Sequence, residues 1–114
     1  MSTPPPTDLE RRRRELVAEI NNLGFVLPGS LNVVMNRCGK PSCRCHANPP
    51  KLHGPYLTWT RKVSGKTVTR RLTNEQADRY RPWLAADRRL RELVTDLETL
   101  SLTIAEQTEG WGAK

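Results

Sequence analysis

The residues able to do chemistry in this chain are gathered in one place. Cys38, Cys43, Cys45, His46 and His53 lie within sixteen positions, and they are all of its cysteines and all of its histidines. They fall in the stretch NRCGKPSCRCHANPPKLHGPY, residues 36–56, which is rich in Pro and Gly. Thiolates and imidazole are the donors of tetrahedral sites for soft divalent ions, and three Cys with one His is a common set for zinc. The spacing is Cys38-x4-Cys43-x-Cys45-x7-His53. Gly39 and Pro41 suit a tight turn that brings two thiolates together. The Cys-x-Cys pair can reach one ion from consecutive turns of a loop. His53 is favoured over His46 as the fourth ligand, because it stands where the chain enters a strand and would tie the loop to a sheet. His46 follows Cys45 directly and has the harder geometry. The spacing also admits another thiophilic ion such as iron.

Other uses of the cysteines fit less well. Three is an odd number, so the thiols cannot all pair within one chain. A catalytic metal needs an open coordination position and a nearby acid or base. Residues 28–72 contain no Asp or Glu. A Cys nucleophile with a His base would lack an orienting carboxylate from that stretch, and two cysteines would go unexplained. The expectation is a structural site and not an enzyme.

The same stretch carries the charge. The 114-residue chain has a formal net charge of +7. The whole excess belongs to residues 28–72, which hold nine cations: Arg37, Lys40, Arg44, Lys51, Arg61, Lys62, Lys66, Arg70 and Arg71. Lys and Arg replace counterions along a phosphate backbone, so an acid-free basic block points to nucleic acid. These nine residues and Tyr56, a ring on which a base could stack, are the candidate nucleic-acid-binding residues. Trp59 is expected in the core, with Arg70 laid across its ring. The Arg11–Arg14 run has acids at helical spacing, Glu10 with Arg14 and Arg11 with Glu15, and is read as a salt-bridged helix face. The Arg88–Glu92 segment is read the same way.

The elements that must position these residues follow from the pattern. MSTPPPT, residues 1–7, is expected to be a disordered tail, and 8–107 a single domain. Thr7 and Glu10 fit a capping box before a helix over 8–24. Leu9, Leu16, Val17, Ile20 and Leu23 form its apolar stripe. A strand is predicted at 31–37, then the ligand loop from Cys38 to about Gly54. PYLTWTRKV and KTVTRRL form a hairpin about Ser64-Gly65. In that register Val63 faces Lys66, Arg61 faces Val68, Trp59 faces Arg70 and Leu57 faces Leu72. Leu57, Trp59, Val68 and Leu72 then share the inner face. Tyr56, Thr58, Thr60, Lys62, Thr67, Thr69 and Arg71 share a polar, basic outer face. Thr73 and Gln76 cap a helical region over 73–107. Pro82 within it predicts a kink or a new helix start. Leu90, Leu93, Val94, Leu97, Leu100 and Ile104 recur at heptad-like spacing. This coiled-coil-like seam is expected to pack antiparallel on the first helix, or to pair two chains as a homodimer. Residues 108–114 are expected to be a flexible tail.

The segments RCGKPSCRC, LHGPY, GKTVTRRL and TNEQ together resemble a family of small bacterial and archaeal proteins that carry a domain of unknown function. The resemblance covers about Pro28 to Ser101 and leaves the Arg- and Pro-rich first ten to fifteen residues outside. Its hallmark segments imply that Cys38, Cys43, Cys45 and His53 matter more than His46. It brings no established activity. Such proteins are often found among mobile-element and transposase-like genes, which adds a pointer to DNA.

The expectation is therefore an α+β protein. A small three-stranded antiparallel sheet carries a zinc knuckle and is flanked by an N-terminal helix and a long C-terminal helix. The function it suggests is non-enzymatic zinc and nucleic-acid binding, DNA more than RNA, in an accessory or regulatory role. The alternative is a zinc-stabilised module that binds partners through its helices. The chain starts without an apolar leader, and no run approaches the about 18 apolar residues of a membrane span. Cytoplasm, where thiols stay reduced, is the expected compartment.

Overall fold

The computed structural model describes residues 7–112. The expected tail over 1–7 lies outside these, apart from the backbone of Thr7, as do residues 113–114 and the side-chain half of the Thr7 capping box. The order of elements is α1 (Thr7–Asn22), β1 (Ser30–Asn36), a short 3-10 turn (Arg44–His46), β2 (His53–Val63), β3 (Lys66–Leu72) and α2 (Asn74–Glu109). Two helices and an antiparallel sheet of order β1-β2-β3 make the class α+β.

The chain divides into two compact units. One holds residues 27–84 and the other holds the residues up to Val26 with those from Ala85 on. The sheet and ligand loop of residues 28–72, expected as a module within a single domain over 8–107, fall in one unit with the first turns of α2. Ala77 and Leu84 are buried there. The Leu27 N–H donates to the Trp83 carbonyl at 3.0 Å, and the Tyr80 and Trp83 rings meet edge to face at 5.1 Å.

In the sheet unit, the hairpin register is Val63 to Lys66, Arg61 to Val68, Trp59 to Arg70 and Leu57 to Leu72, as the turn residues predict. Ser64 and Gly65 both have positive φ, 50° and 80°, which a two-residue turn of the right-handed twist requires. β1 adds on the other side of β2, pairing Leu31 with Trp59 and Val33 with Leu57. Leu31, Leu57, Trp59 and Leu72 thus share the inner face. A cavity of about 370 Å³ opens there, lined by Leu27, Trp59, Arg70, Leu72, Tyr80 and Trp83 among others. The Trp59 Nε1–H donates to the Pro28 carbonyl at 2.8 Å, which ties the ring to the chain just ahead of β1. One expectation is corrected here. The guanidinium over the Trp59 ring is that of Arg61, 4.6 Å from the centroid, and not that of Arg70. Arg61 stands two residues along the same strand and so on the same face.

α2 opens with the predicted capping box. The Thr73 N–H donates to Gln76 Oε1 at 2.9 Å, and the Gln76 N–H donates to Thr73 Oγ1 at 3.1 Å. Pro82 does not divide the helix, which runs unbroken from Asn74 to Glu109. Proline removes one backbone donor and strains the turn before it. Ala77 and Leu84 are buried, and Tyr80, Trp83 and Leu84 line the cavity beside the sheet on either side of that point. α2 also extends past the expected end at 107, and the Trp111 N–H closes it on the Glu106 carbonyl at 3.1 Å.

In the helical unit, Leu16 of α1 and Leu93 of α2 are buried. Arg89 donates to both carboxylate oxygens of Glu19, through Nε at 2.5 Å and a terminal nitrogen at 2.9 Å. The Arg run is the expected ion-paired face, with partners that differ in part. Glu10 pairs with Arg13 and Arg14, Arg11 with Asp8, and Arg12 with Glu15. Arg89 also meets Glu92, and Arg91 meets Asp87.

Candidate metal centre and basic surface

The loop between β1 and β2 folds through its own backbone. The Cys43 N–H donates to the Lys40 carbonyl at 3.0 Å, closing a turn with Pro41 at its second position, where a fixed φ is favourable. The next turn follows at once, with the His46 N–H on the Cys43 carbonyl at 2.9 Å. The Ala47 and Lys51 N–H groups both reach the Arg44 carbonyl, at 3.1 and 3.0 Å. Two consecutive turns therefore present Cys43 and Cys45, while Cys38 leaves the end of β1 and His53 starts β2.

These four side chains converge. One donor atom from each of Cys38, Cys43, Cys45 and His53 lies within 4.8 Å of the others. The Sγ atoms of Cys38 and Cys45 are 3.6 Å apart, and Cys43 Sγ is 3.2 Å from His53 Nε2. A tetrahedral ion with sulfur at about 2.3 Å sets its sulfurs about 3.8 Å from one another, so the cluster has the dimensions of a four-coordinate site. Cys45 is fully buried, and its sulfur accepts from the Cys38 N–H at 3.3 Å. Backbone donors of this kind stabilise thiolate charge and hold the ligand in place.

The cysteines differ in acidity. The Cys43 thiol is lowered to about 6, chiefly by the backbone N–H of Cys45 and further by the Cys38 side chain. Burial pushes the Cys45 thiol up. A bound divalent cation would hold all three as thiolates.

His46 takes no part in the cluster. Its Nε2–H donates to the Cys38 carbonyl at 2.7 Å, and its ring is exposed. It buttresses the chain at the first ligand.

His53 owes its place to the residues after it. The β1–β2 ladder is bulged on the β2 side, where Gly54 and Pro55 together oppose Met35, and this shifts the register so that Asn36 faces His53. Gly54 has φ 126°, and a Cβ there would lie 2.8 Å from the Val34 carbonyl oxygen and 3.0 Å from Met35 Sδ. Only glycine lets the two strands approach this closely at the bulge. The sequence shows LHGPY as a motif but not this reason for its glycine. The Gly beside a predicted ligand was the available signal.

The comparisons with known proteins bear on the same segments. A family model described as a domain of unknown function, DUF6788, matches residues 6–82. The chain belongs to this family. The match takes in α1, the ligand loop and the sheet, so it begins earlier than the resemblance placed it and ends before Ser101. No curated protein and no solved structure matches the chain.

The predicted cations fall into three groups. Arg37, Lys40, Arg44 and Lys51 are exposed on the ligand loop. Lys62 and Arg71 lie on the outer face of the sheet with Tyr56, and the Arg71 guanidinium stacks 3.8 Å from the Tyr56 ring centre. Arg61, Lys66 and Arg70 lie on the inner-face register instead. Among the described residues, none of the nine cations of this region forms an ion pair. No helix of the described residues is long and apolar enough to cross a membrane.

Proposed function

We propose that this protein binds one zinc ion through Cys38, Cys43, Cys45 and His53, and contacts nucleic acid through the surface that the zinc-stapled loop and sheet present. The observation that carries this reading is the closure of the four donors within 4.8 Å inside an acid-free basic block. Three soft thiolates and an imidazole suit zinc, which holds such a set without redox chemistry. Four protein donors fill a tetrahedron and leave no position for substrate, so the role of the ion is structural. No carboxylate of residues 28–72 is available as a general base, and the reading is non-enzymatic. A zinc with three thiolates carries a net charge of about −1, which the nine surrounding cations outweigh. The protein is then an accessory or regulatory factor held to a phosphate backbone mainly by charge.

Fluorescence anisotropy with labelled oligonucleotides tests this. Binding is expected at micromolar concentration or below at low salt. If four of the cations meet phosphates, affinity falls about 100-fold between about 50 and about 200 mM salt. Absence of binding at low salt would remove the nucleic-acid reading.

A further inference from the structure

One face of the sheet has a use that the charge count alone does not show. Side chains alternate across a strand, so the register separates two faces. The inner face packs on the first turns of α2. The other face carries Asn32 from β1, Thr58, Thr60 and Lys62 from β2, and Thr69 and Arg71 from β3. Asn32, Thr58 and Arg71 form one row across the three strands, and Thr60 stands beside Thr69 in the next. The row residues are fixed by contacts that leave hydrogen-bonding capacity to spare. Asn32 Nδ2 donates to Thr60 Oγ1 at 3.2 Å, and Lys62 Nζ donates to Thr67 Oγ1 at 2.7 Å. Arg71 lies on the Tyr56 ring, which sets its orientation, and among the described residues its guanidinium makes no hydrogen bond.

We propose that this outer face is the recognition surface and that its partner is B-form duplex DNA, entered through the major groove. The proposal rests on the nucleic-acid reading above and narrows it. Three strands at about 4.8 Å spacing place the two outer strands about 10 Å apart. The major groove of B-DNA, about 12 Å wide and about 8.5 Å deep, admits a two-stranded β-ribbon, so adjacent strands of this sheet can enter it with the third at its rim. The side chains on the face are of the types that read base edges: Arg and Lys for guanine, Asn for adenine, Thr for the thymine methyl. The ligand loop leaves one end of the same sheet, and its exposed Lys40 and Arg44 are free to meet phosphates. Duplex RNA is disfavoured, because its major groove is deep and too narrow for side chains to read. Single strands are held by stacking on aromatic platforms. This face offers one aromatic, Tyr56, and Arg71 already covers it.

Anisotropy titrations of the zinc-loaded protein with duplex DNA, duplex RNA of the same sequence and a single DNA strand decide the matter. Wild-type and Arg71→Ala proteins are compared, with netropsin as a minor-groove competitor and methyl green as a major-groove competitor. The expected result is duplex DNA bound about tenfold or more above the other two, methyl green displacing it and netropsin not. Arg71→Ala should weaken duplex binding about tenfold, within the range for loss of one base-reading Arg. The Asn32→Ala protein repeats that arm should Arg71→Ala fold poorly by circular dichroism. Equal or tighter binding of duplex RNA or the single strand would overturn the partner and leave the nucleic-acid reading intact. Duplex DNA released by netropsin, or held equally by the variants, would overturn the face and the groove. No binding to any probe would overturn both readings.

Discussion

Cys45→Ser protein is expected to lose its metal, with zinc affinity falling by more than about 100-fold, the upper end of what removing even an outer-shell partner costs. Cys45 is the one fully buried member of the donor set, 0% exposed, and it sits between the backbone of Cys38 and the sulfur of Cys38. A serine hydroxyl stays protonated near neutral pH and is a harder donor than a thiolate. It would leave three ligands and a buried polar group in a sulfur-sized space. The loop between β1 and β2 has no other large buried side chain to hold it. Its order therefore depends on the ion, and protease sites between Cys38 and Gly54 should open in the variant. Most helical residues lie in α1 and α2, so the far-ultraviolet dichroism should persist. Competition with a chromophoric chelator and limited proteolysis check both points. A Cys45→Ser protein that keeps wild-type zinc affinity would contradict the assignment.

Gly54→Ala is expected to be the most damaging change outside the ligands themselves. An alanine at φ 126° occupies a region that costs on the order of 1–3 kcal/mol. Its Cβ would also press on the Val34 carbonyl oxygen at 2.8 Å, which belongs to the backbone and cannot turn aside. Relief requires β1 and β2 to part at the bulge, which moves His53 away from Cys43. The expected signature couples two losses: a lower unfolding midpoint and a weaker zinc affinity, seen in denaturant titrations with and without chelator. A Gly54→Ala protein as stable as wild type, with the same affinity, would show that the close approach is not needed.

The parts of the structure that were legible in the sequence are those set by local chemistry. Ser64-Gly65 permits the positive φ values of a tight hairpin turn, and that turn fixes every pair from Val63–Lys66 to Leu57–Leu72. Thr73 and Gln76 specify a reciprocal cap that depends on three residues of spacing and nothing distant. The ligand set was legible because soft donors at close spacing have few other uses in one loop. What could not be read depends on contacts far apart in sequence. α2 runs unbroken through Pro82, a residue that locally predicts a stop, and its lining of a cavity with Trp59, Arg70 and Leu72 joins positions far apart in sequence. The guanidinium over Trp59 is that of Arg61 because the choice between two same-face arginines rests on rotamers, not on register. The β2 bulge leaves a mark, the Gly54-Pro55 pair inside a strand, but the β1 atoms it meets at Val34 and Met35 belong to a pairing that SLNVVMN alone does not show. The role of His46 is likewise a tertiary fact, since its bond to the Cys38 carbonyl spans eight residues of loop.

The claim on which the rest stands is one zinc held by three cysteines and His53. Native mass spectrometry of freshly reduced protein tests it most directly, on wild type and on the His53→Ala and His46→Ala variants. The account predicts one zinc per chain in wild type and in His46→Ala, and none or a readily stripped ion in His53→Ala. Wild-type protein without metal, or a His46→Ala protein that loses zinc while His53→Ala keeps it, would contradict it.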